Sequence, residues 1–584
     1  MKKATLLIVV LLTASVGMPT DGVQLDAFPK TSIAEDGTAT WCGFCPNAYA
    51  GLEIVHGQFD YAKFISVRHY ETSGSYGTPE TDARNDYNGV SGLPTVVFDG
   101  QTNIVGAGTT TANTGEPYLT VVEGSTLKPS PVRVEIDSFD PVTGAVSATV
   151  TMYSTTDMLD NDSVMFILVE DDITSSHTHV TRDIVYETIT LSGAGVFTTV
   201  NTSFVIDPTW TMANLQAVAL VQRVADKEVL QSASTYLQPT YSVHGMVPFS
   251  RVLFGPPSGT YTTDQFTIMN LGALDTYTIE LVVDNAPAGW EVEFVDDLGG
   301  IHTSTFVFAL DNEVTAPFHV NVKPTSLGQA DFHFEVTSAN LTTTLSIPFA
   351  YFTEGLEIML VDDDGGEDYE LYFSDVLDTL GMTYGVWNRD ISPLAVEVAQ
   401  NFDMIIWNVG LGYPTLNADD QDFLTGYLDA GKSLFITGQD IGWELNDGSP
   451  SQWYQDYLHA IYIRDDTNIL DLDGVSGDPI TGGLNLHIAG GTGASNQAYP
   501  DEISAADASA VEILHYTGGF CGAVRSIDPT SNARVVYLGF GFEGIDSDLD
   551  RHDLLTAALE WMNPMIFTDG FESGDMLLWT TSTP

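Results

Sequence analysis

The sequence predicts a multidomain chain, α/β at its two ends and all-β between them, and three observations predict it. Its 584 residues are too many for one core, because domains run to roughly 150 residues and about four fit here. Strand-like and helix-like segments alternate up to about residue 128 and again from about residue 356. Between those limits apolar residues recur at every second position, broken by turn residues at intervals of roughly ten, as in β-sandwiches.

The first stretch, "MKKATLLIVVLLTASVG", carries Lys2 and Lys3, an apolar run from Leu6 to Leu12, and then small residues. It reads as a signal peptide over 1–20, so the mature chain is expected to be secreted or held at the cell surface or outer membrane. The run falls short of the ~20 apolar residues that a spanning helix needs, and no transmembrane span is expected. Lys and Arg number 19 against 79 Asp and Glu, a net charge of −60. Such a surface repels nucleic acid and anionic lipid, which need clustered cations to displace counterions. A hydrophobic fraction of 43% excludes a disordered chain.

In residues 28–128, "TSIAEDGT" predicts a strand, "PNAYAGLEIVHGQF" a helix and "FISVRHY" a second strand. "GLPTVVFDG" and "NIVGAG" predict a strand pair, and "EPYLTVVEGSTL" a closing helix. This βαβ then ββα order is that of a thioredoxin-like α/β domain. Residues 131–240 ("VRVEIDSF", "AVSATVTMYS", "SVMFILVEDD") and 243–353 ("YTIELVVDN", "WEVEFVDD", "ADFHFEVTSA") predict two Ig-like β-sandwich domains.

From 356 to 565 the short runs "EIMLVDDD", "MIIWNVG", "SLFITGQD" and "RVVYLGFG" fit strands buried on both faces. Helical stretches lie between them, one capped by Asn417 and ended by Gly431. The expectation is a doubly wound parallel sheet of flavodoxin-like class. Residues 566–584 form a separate tail.

Chemistry concentrates in "TWCGFCPNA". A thiolate is the attacking species, so a redox cysteine needs a lowered pKa. At the start of a helix Cys42 gains from free N–H groups and the helix dipole, and thiols in such motifs fall to ~3.5–7.5. Cys45, one turn on, is placed to resolve a mixed disulfide. Trp41 shields one side of the sulfur, and Pro46 sits early in the helix, where a missing N–H costs little. Zinc would need further Cys or His ligands, and Cys521 lies far away in another unit. The pair is therefore a working redox centre or a stable disulfide in a binding scaffold. In "SGLPTVVFDG", Leu93–Pro94 matches by position the cis-proline that packs against the dithiol in thioredoxin folds and leaves backbone free for a substrate peptide.

Other candidates are weaker. His177 and His179, at i and i+2 on one strand face with Arg182 nearby, offer metal- or anion-binding geometry or form a polar cluster. His69 either approaches the dithiol or packs away from it. Asp362, Asp363 and Asp364 follow the first strand of the last sheet, where α/β folds place ligands. Packed carboxylates there suit Ca²⁺ or Mg²⁺, or form a solvated acidic turn; no other cofactor is expected. "SLFITGQDIGWEL" runs a strand into Gly438-Gln439-Asp440-Ile441-Gly442, the G-x-Nu-x-G pattern of an elbow that exposes a nucleophile.

"GTATWCGFCPNA", "RHYE" and "YNGVSGLPTVVFDG" resemble the thioredoxin-like domain of an outer-membrane-protein family found on bacterial surfaces. "SSHTHVTRDIV" and "ADKEVLQSAST" resemble the β-domain that accompanies it, so the resemblance runs from about Thr31 to Tyr236. It implies export and thioredoxin-like architecture. Gly43-Phe44 replace the proline usual inside the motif. The buried acid that assists proton transfer in thioredoxins has two candidates, Glu35 and Asp36, of which a strand can turn only one toward the dithiol.

Residues 356–562 resemble the class I glutamine amidotransferase-like fold, whose catalytic members carry Cys at the elbow and a His–Glu pair. Asp440 at the elbow, with Glu543 and no histidine in the late strand, implies an inactive domain with a binding or structural role. The function expected is thiol–disulfide exchange with extracytoplasmic protein thiols or disulfides. The alternative is a surface adhesion or ligand-binding protein that meets cell-surface components through non-catalytic scaffolds.

Overall fold

Ile33 and Ala34 are both fully buried, so the strand that carries them is covered on its two faces. The computed structural model describes residues 26–107, 111–174, 176–389, 396–412, 415–446 and 450–563, and the expected signal peptide and tail lie outside them. The chain is a strand-rich mixture of α and β elements with several sheets.

Strand β1 (Ser32–Thr38) leads to helix α1 (Cys45–Gln58), and β2 (Phe64–Tyr70) returns parallel to β1. Helix α2 (Pro79–Asn88) was not expected, since "PETDARNDYN" has no apolar stripe; Thr78 and Thr81 cap it reciprocally. Strand β3 (Thr95–Phe98) pairs antiparallel with β1, β4 (Thr102–Val105) pairs with β3, and α3 (Thr111–Thr126) follows. Ala34, Phe64, Val96 and Phe98 on one face of this sheet meet Leu52 and Val55 of α1 and Tyr118 and Val122 of α3.

The sheet does not stop near residue 130. Next come β5 (Val132–Phe139), β6 (Ala145–Met152), β7 (Met158–Glu170), β8 (Val180–Ser192), β9 (Phe197–Ser203), β10 (Leu215–Gln222) and β11 (Val229–Ser234). Among the described residues one sheet runs β11-β10-β7-β8-β2-β1-β3-β4, joined where Val180 meets Arg68. It curls until β11 reaches the residues flanking β1 and β3: the Val229 amide donates to the Asp99 carbonyl at 2.7 Å and Ser232 Oγ to the Thr31 carbonyl at 2.8 Å.

Inside the curl, Ile33, Ile65 and Val67 pack against Met165, Ile167, Val218 and Leu220. Val164, Phe166 and Leu168 point outward onto the small sheet β9-β6-β5. Burial on both faces is why "SVMFILVE" carries no polar alternation. Residues 243–353 form two further sheets around a shared core that includes Phe266, Phe294, Phe334 and Ile347.

The last region starts with β12 (Ile358–Asp362), α4 (Leu371–Leu380), β13 (Tyr384–Asn388) and β14 (Met404–Gly410). It continues with α5 (Ala418–Asp429), β15 (Ser433–Gly438), α6 (Ile441–Asn446), β16 (Arg534–Leu538) and α7 (Asp548–Met562). The parallel strands run β13-β12-β14-β15-β16, and antiparallel strands from 520–527 and 510–516 extend them. The strand order reverses between β12 and β14, the switch point at whose carboxyl ends sheets of this class form a ligand crevice. As expected, Asn417 caps α5, and Gly431 follows its end at φ 78°. No helix among the described residues is long and apolar enough to cross a membrane.

Candidate functional site

Cys42 and Cys45 form a disulfide. Helix α1 begins at Cys45 with Pro46 in its first turn, so Cys42 precedes the helix rather than opening it. The two remain coupled: the Cys45 amide donates to Cys42 Sγ at 3.1 Å. Cys42 is half-buried and Cys45 buried.

Trp41 and Phe44, 61% and 59% exposed, flank the motif with apolar surface. Trp41 Nε1 donates to Ser73 Oγ at 3.0 Å and the Ser75 amide to Thr40 Oγ1 at 3.1 Å, which fastens the loop after β2 beside the motif. The Leu93–Pro94 peptide is cis. Thr95 lies opposite Gly37, which puts Pro94 at the end of β1 from which the chain runs on to Cys42.

Strand alternation separates the two candidate acids. Glu35 shares the face of Ile33, inside the curl. Arg84 holds it through Nε and Nη2, each at 2.6 Å, and His69 Nε2 lies 2.9 Å away. Arg84 also donates to Gln222 Oε1 at 2.8 Å. Burial pushes the Glu35 carboxyl up, but Arg84 and then His69 bring it far below the usual carboxylate range. Glu35 and His69 therefore face away from the dithiol, against the expectation that Glu35 might serve it.

Asp36 shares the face of Ala34, toward α1 and α3. Arg68 Nε donates to its Oδ2 at 3.1 Å, and its Oδ1 has no partner among the described residues. Burial pushes this carboxyl up, with Arg68 opposing. The Arg68 guanidinium lies over Tyr49 of α1, 4.6 Å from the ring centre.

His177, His179 and Arg182 do not form one site. His179 has φ 55° and β8 starts only at Val180, so the strand geometry that would align the two histidines is missing. His177 Nδ1 meets Thr174 Oγ1, His179 Nε2 meets Tyr61 OH at 3.0 Å, and Arg182 pairs with Glu170. The result is the polar-cluster alternative.

At the end of β12, Asp362, Asp364 and Glu370 bring ligand oxygens within 4.8 Å of one another. Asp363 does not join them: its Oδ2 accepts from Trp407 Nε1 at 2.9 Å. Glu370, six residues beyond Asp364, was missed because α4 has to turn it back. Asp440 lies between β15 and α6 without a positive φ, so the strained turn of a nucleophile elbow is not formed.

Burial, then Asp465 and Glu444, push Asp440 up to about 7. Asp501, also missed in the sequence, accepts from the Gly442 amide at 3.0 Å, and its Oδ1 lacks a partner among the described residues. Burial, then Asp440 and Asp465, raise it to about 9. Cys521 is a buried free thiol.

No protein-family model matches the chain, and no curated protein matches it. Among solved structures it has a partial likeness to a glutamine amidotransferase from Thermotoga maritima, with 11% identity, 38% of this chain and 92% of that one covered, and a TM-score of 0.23. An exo-β-1,4-mannosidase from Opitutaceae bacterium strain TAV5 gives 11% identity and a TM-score of 0.25, and the chain spans 35% of that enzyme's length and 35% of its own. A conjugative transposon lipoprotein from Bacteroides eggerthii gives 15% identity, 20% of this chain and 98% of that one, and a TM-score of 0.14.

Proposed function

We propose that the Cys42–Cys45 pair carries out thiol–disulfide exchange on extracytoplasmic proteins, in a chain exported by its expected signal peptide. One observation carries the reading: the sulfur of half-buried Cys42 receives the first amide of α1 while Cys45 lies buried behind it. A donated N–H favours the thiolate over the thiol. The thioredoxin-like reading of 28–128 is supported by the order β2-β1-β3-β4 and by the place of Pro94 at the dithiol end of the sheet. Residues 131–240 complete the amino-terminal sheet, the unit at 243–353 acts as a spacer, and the amidotransferase-like region is a binding domain without its nucleophile.

In the reducing direction the Cys42 thiolate attacks one sulfur of a substrate disulfide. That S–S bond breaks, and its electron pair leaves on the other substrate sulfur, which takes a proton. Cys45 then loses its proton and attacks Cys42 Sγ, which releases the second substrate thiolate and closes the Cys42–Cys45 bond. Two electrons pass to the substrate, and the reverse sequence oxidises a dithiol. Asp36, the acid on the α1 side of the sheet, accepts the Cys45 proton. Exposed Trp41 and Phe44 offer apolar surface to the substrate chain.

Insulin reduction with wild type and Cys42→Ser, together with the reduction potential of the pair, tests this. Exchange requires loss of activity in the variant and a potential of about −120 to −270 mV. A potential below about −300 mV, with no alkylation of Cys42 after mild reduction, would mark a structural bridge and favour the scaffold reading.

A further inference from the structure

The richest unused chemistry lies at the switch point of the last sheet, where carboxylate oxygens collect. The oxygens of Asp362, Asp364 and Glu370 lie within 4.8 Å of one another, close enough to share one Ca²⁺ ion, whose oxygens stand about 2.3–2.6 Å from it. Asn408 supplies a second, independent sign. It lies opposite Asp362 in the parallel register of β12 and β14, and it is fully buried. Its Nδ2 donates to Asp364 Oδ2 at 3.3 Å, while its Oδ1 has no partner among the described residues. A buried acceptor left unmatched is destabilising, and a cation beside Asp364 would supply the missing partner.

Two more oxygens share this condition. Glu543 is fully buried, its Oε1 accepts from Asn496 and Gln497, and its Oε2 is unmatched. Glu370 Oε2 is unmatched as well. Both carboxylates repel Asp364 electrostatically. Among the described residues Asp364, Glu370 and Glu543 enter no ion pair, and Arg389 is held by Asp420 and faces Asp363. An all-oxygen set of carboxylates and one amide selects a hard cation.

We propose that the crevice between β12 and β14 binds one Ca²⁺ ion through Asp362, Asp364, Glu370 and the side-chain carbonyl of Asn408, with Glu543 completing the negative wall. The run of three aspartates is read at alternate positions, because Asp363 is turned to Trp407. The site is independent of the dithiol.

Calorimetric titration of the EDTA-treated full chain with CaCl₂, in about 0.15 M salt to screen the acidic surface, tests it. One saturable equivalent is expected above weak surface binding, with a Ca²⁺-dependent rise in Tm. Asp362→Asn and Glu370→Gln should each weaken that equivalent at least tenfold and abolish the Tm rise, whereas Asp363→Asn should leave both unchanged. Glu370→Gln keeps shape and lies at a helix end, so it decides the matter if Asp362→Asn fails to fold by circular dichroism. The assignment is overturned by the absence of a saturable equivalent, by equal loss in Asp363→Asn, or by full displacement of Ca²⁺ by equimolar Mg²⁺.

Discussion

Glu35 and Asp36 leave β1 on opposite faces of the sheet, Glu35 to Arg84 at 2.6 Å and Asp36 to Arg68 at 3.1 Å. Two adjacent carboxylates thereby do separate work. Glu35 fastens α2 to the inside of the curl, and Asp36 stands on the side of the dithiol helix.

Replacing Glu35 should therefore damage stability and spare the chemistry. Glu35→Gln leaves the Arg84 guanidinium buried without its carboxylate, which costs about 3–5 kcal/mol. Urea unfolding of the variant measures this, and a loss below about 1 kcal/mol would show that the pair is not structural. Exchange activity of the fraction still folded should match wild type.

Asp36→Asn should cost both stability and rate. Arg68 is buried beside Asp36 as Arg84 is beside Glu35, so the rate is read on the fraction still folded. The second step of exchange should slow by about 10²-fold at neutral pH, the lower end of a general base's contribution. Stopped-flow release of the mixed disulfide reads this directly, and an unchanged rate with an unchanged pH profile removes Asp36 from the mechanism.

Cys45→Ser should trap a covalent complex through Cys42, since nothing remains to resolve it. Cys42→Ser should trap none, because the remaining sulfur is buried. Non-reducing electrophoresis against a disulfide-bearing substrate distinguishes them. Trapping through Cys45 alone would exchange the two assigned roles.

Acid should loosen the amino-terminal region. Burial, then the charge of His179, pushes His56 down to about 3, and burial, then Arg68, pushes His179 down to about 4. Unfolded histidines titrate near ~6.5, so below that pH the unfolded chain binds more protons. Stability from these two groups is complete above pH ~6.5 and lost as pH falls toward 3–4. Thermal melts between pH 7 and pH 4 should show the decline, and His56→Gln should make it shallower.

Alkali should loosen the carboxyl-terminal region instead. Asp440 and Asp501 hold protons up to about 7 and about 9, against ~3.9 in an unfolded chain. The folded state thus binds more protons, and their contribution is complete below pH ~3.9 and lost as pH rises through 7 to 9. The charge of Asp440 is one cause of the rise at Asp501. Melts from pH 5 to pH 9 should fall in wild type and flatten in Asp501→Asn; parallel curves would refute the pairing.

Much of the fold was legible where neighbours in sequence decide the outcome. Asn417 caps α5 because its side chain reaches an amide three residues away, and the apolar runs at Ile358 and Met404 became parallel strands. Helix α2 was hidden because polar residues and a capping box, rather than an apolar stripe, define it. At the crevice, the sequence presented three consecutive aspartates as equals. The structure distinguished them by giving Asp363 to Trp407 and bringing in Glu370 and Asn408.

Short-range patterns by themselves determined the element types, the Cys42–Cys45 motif before a helix, and the constraint that Glu35 and Asp36 face apart. Caps, dyads and two-residue alternation are settled within a few bonds. Only the tertiary structure decided which face each acid took and that the first sheet curls on through β8 until Val229 of β11 meets Asp99 after β3. It also decided which oxygens gather beside Asp364. Those outcomes depend on burial against residues tens to hundreds of positions away, and local periodicity carries no information about such partners.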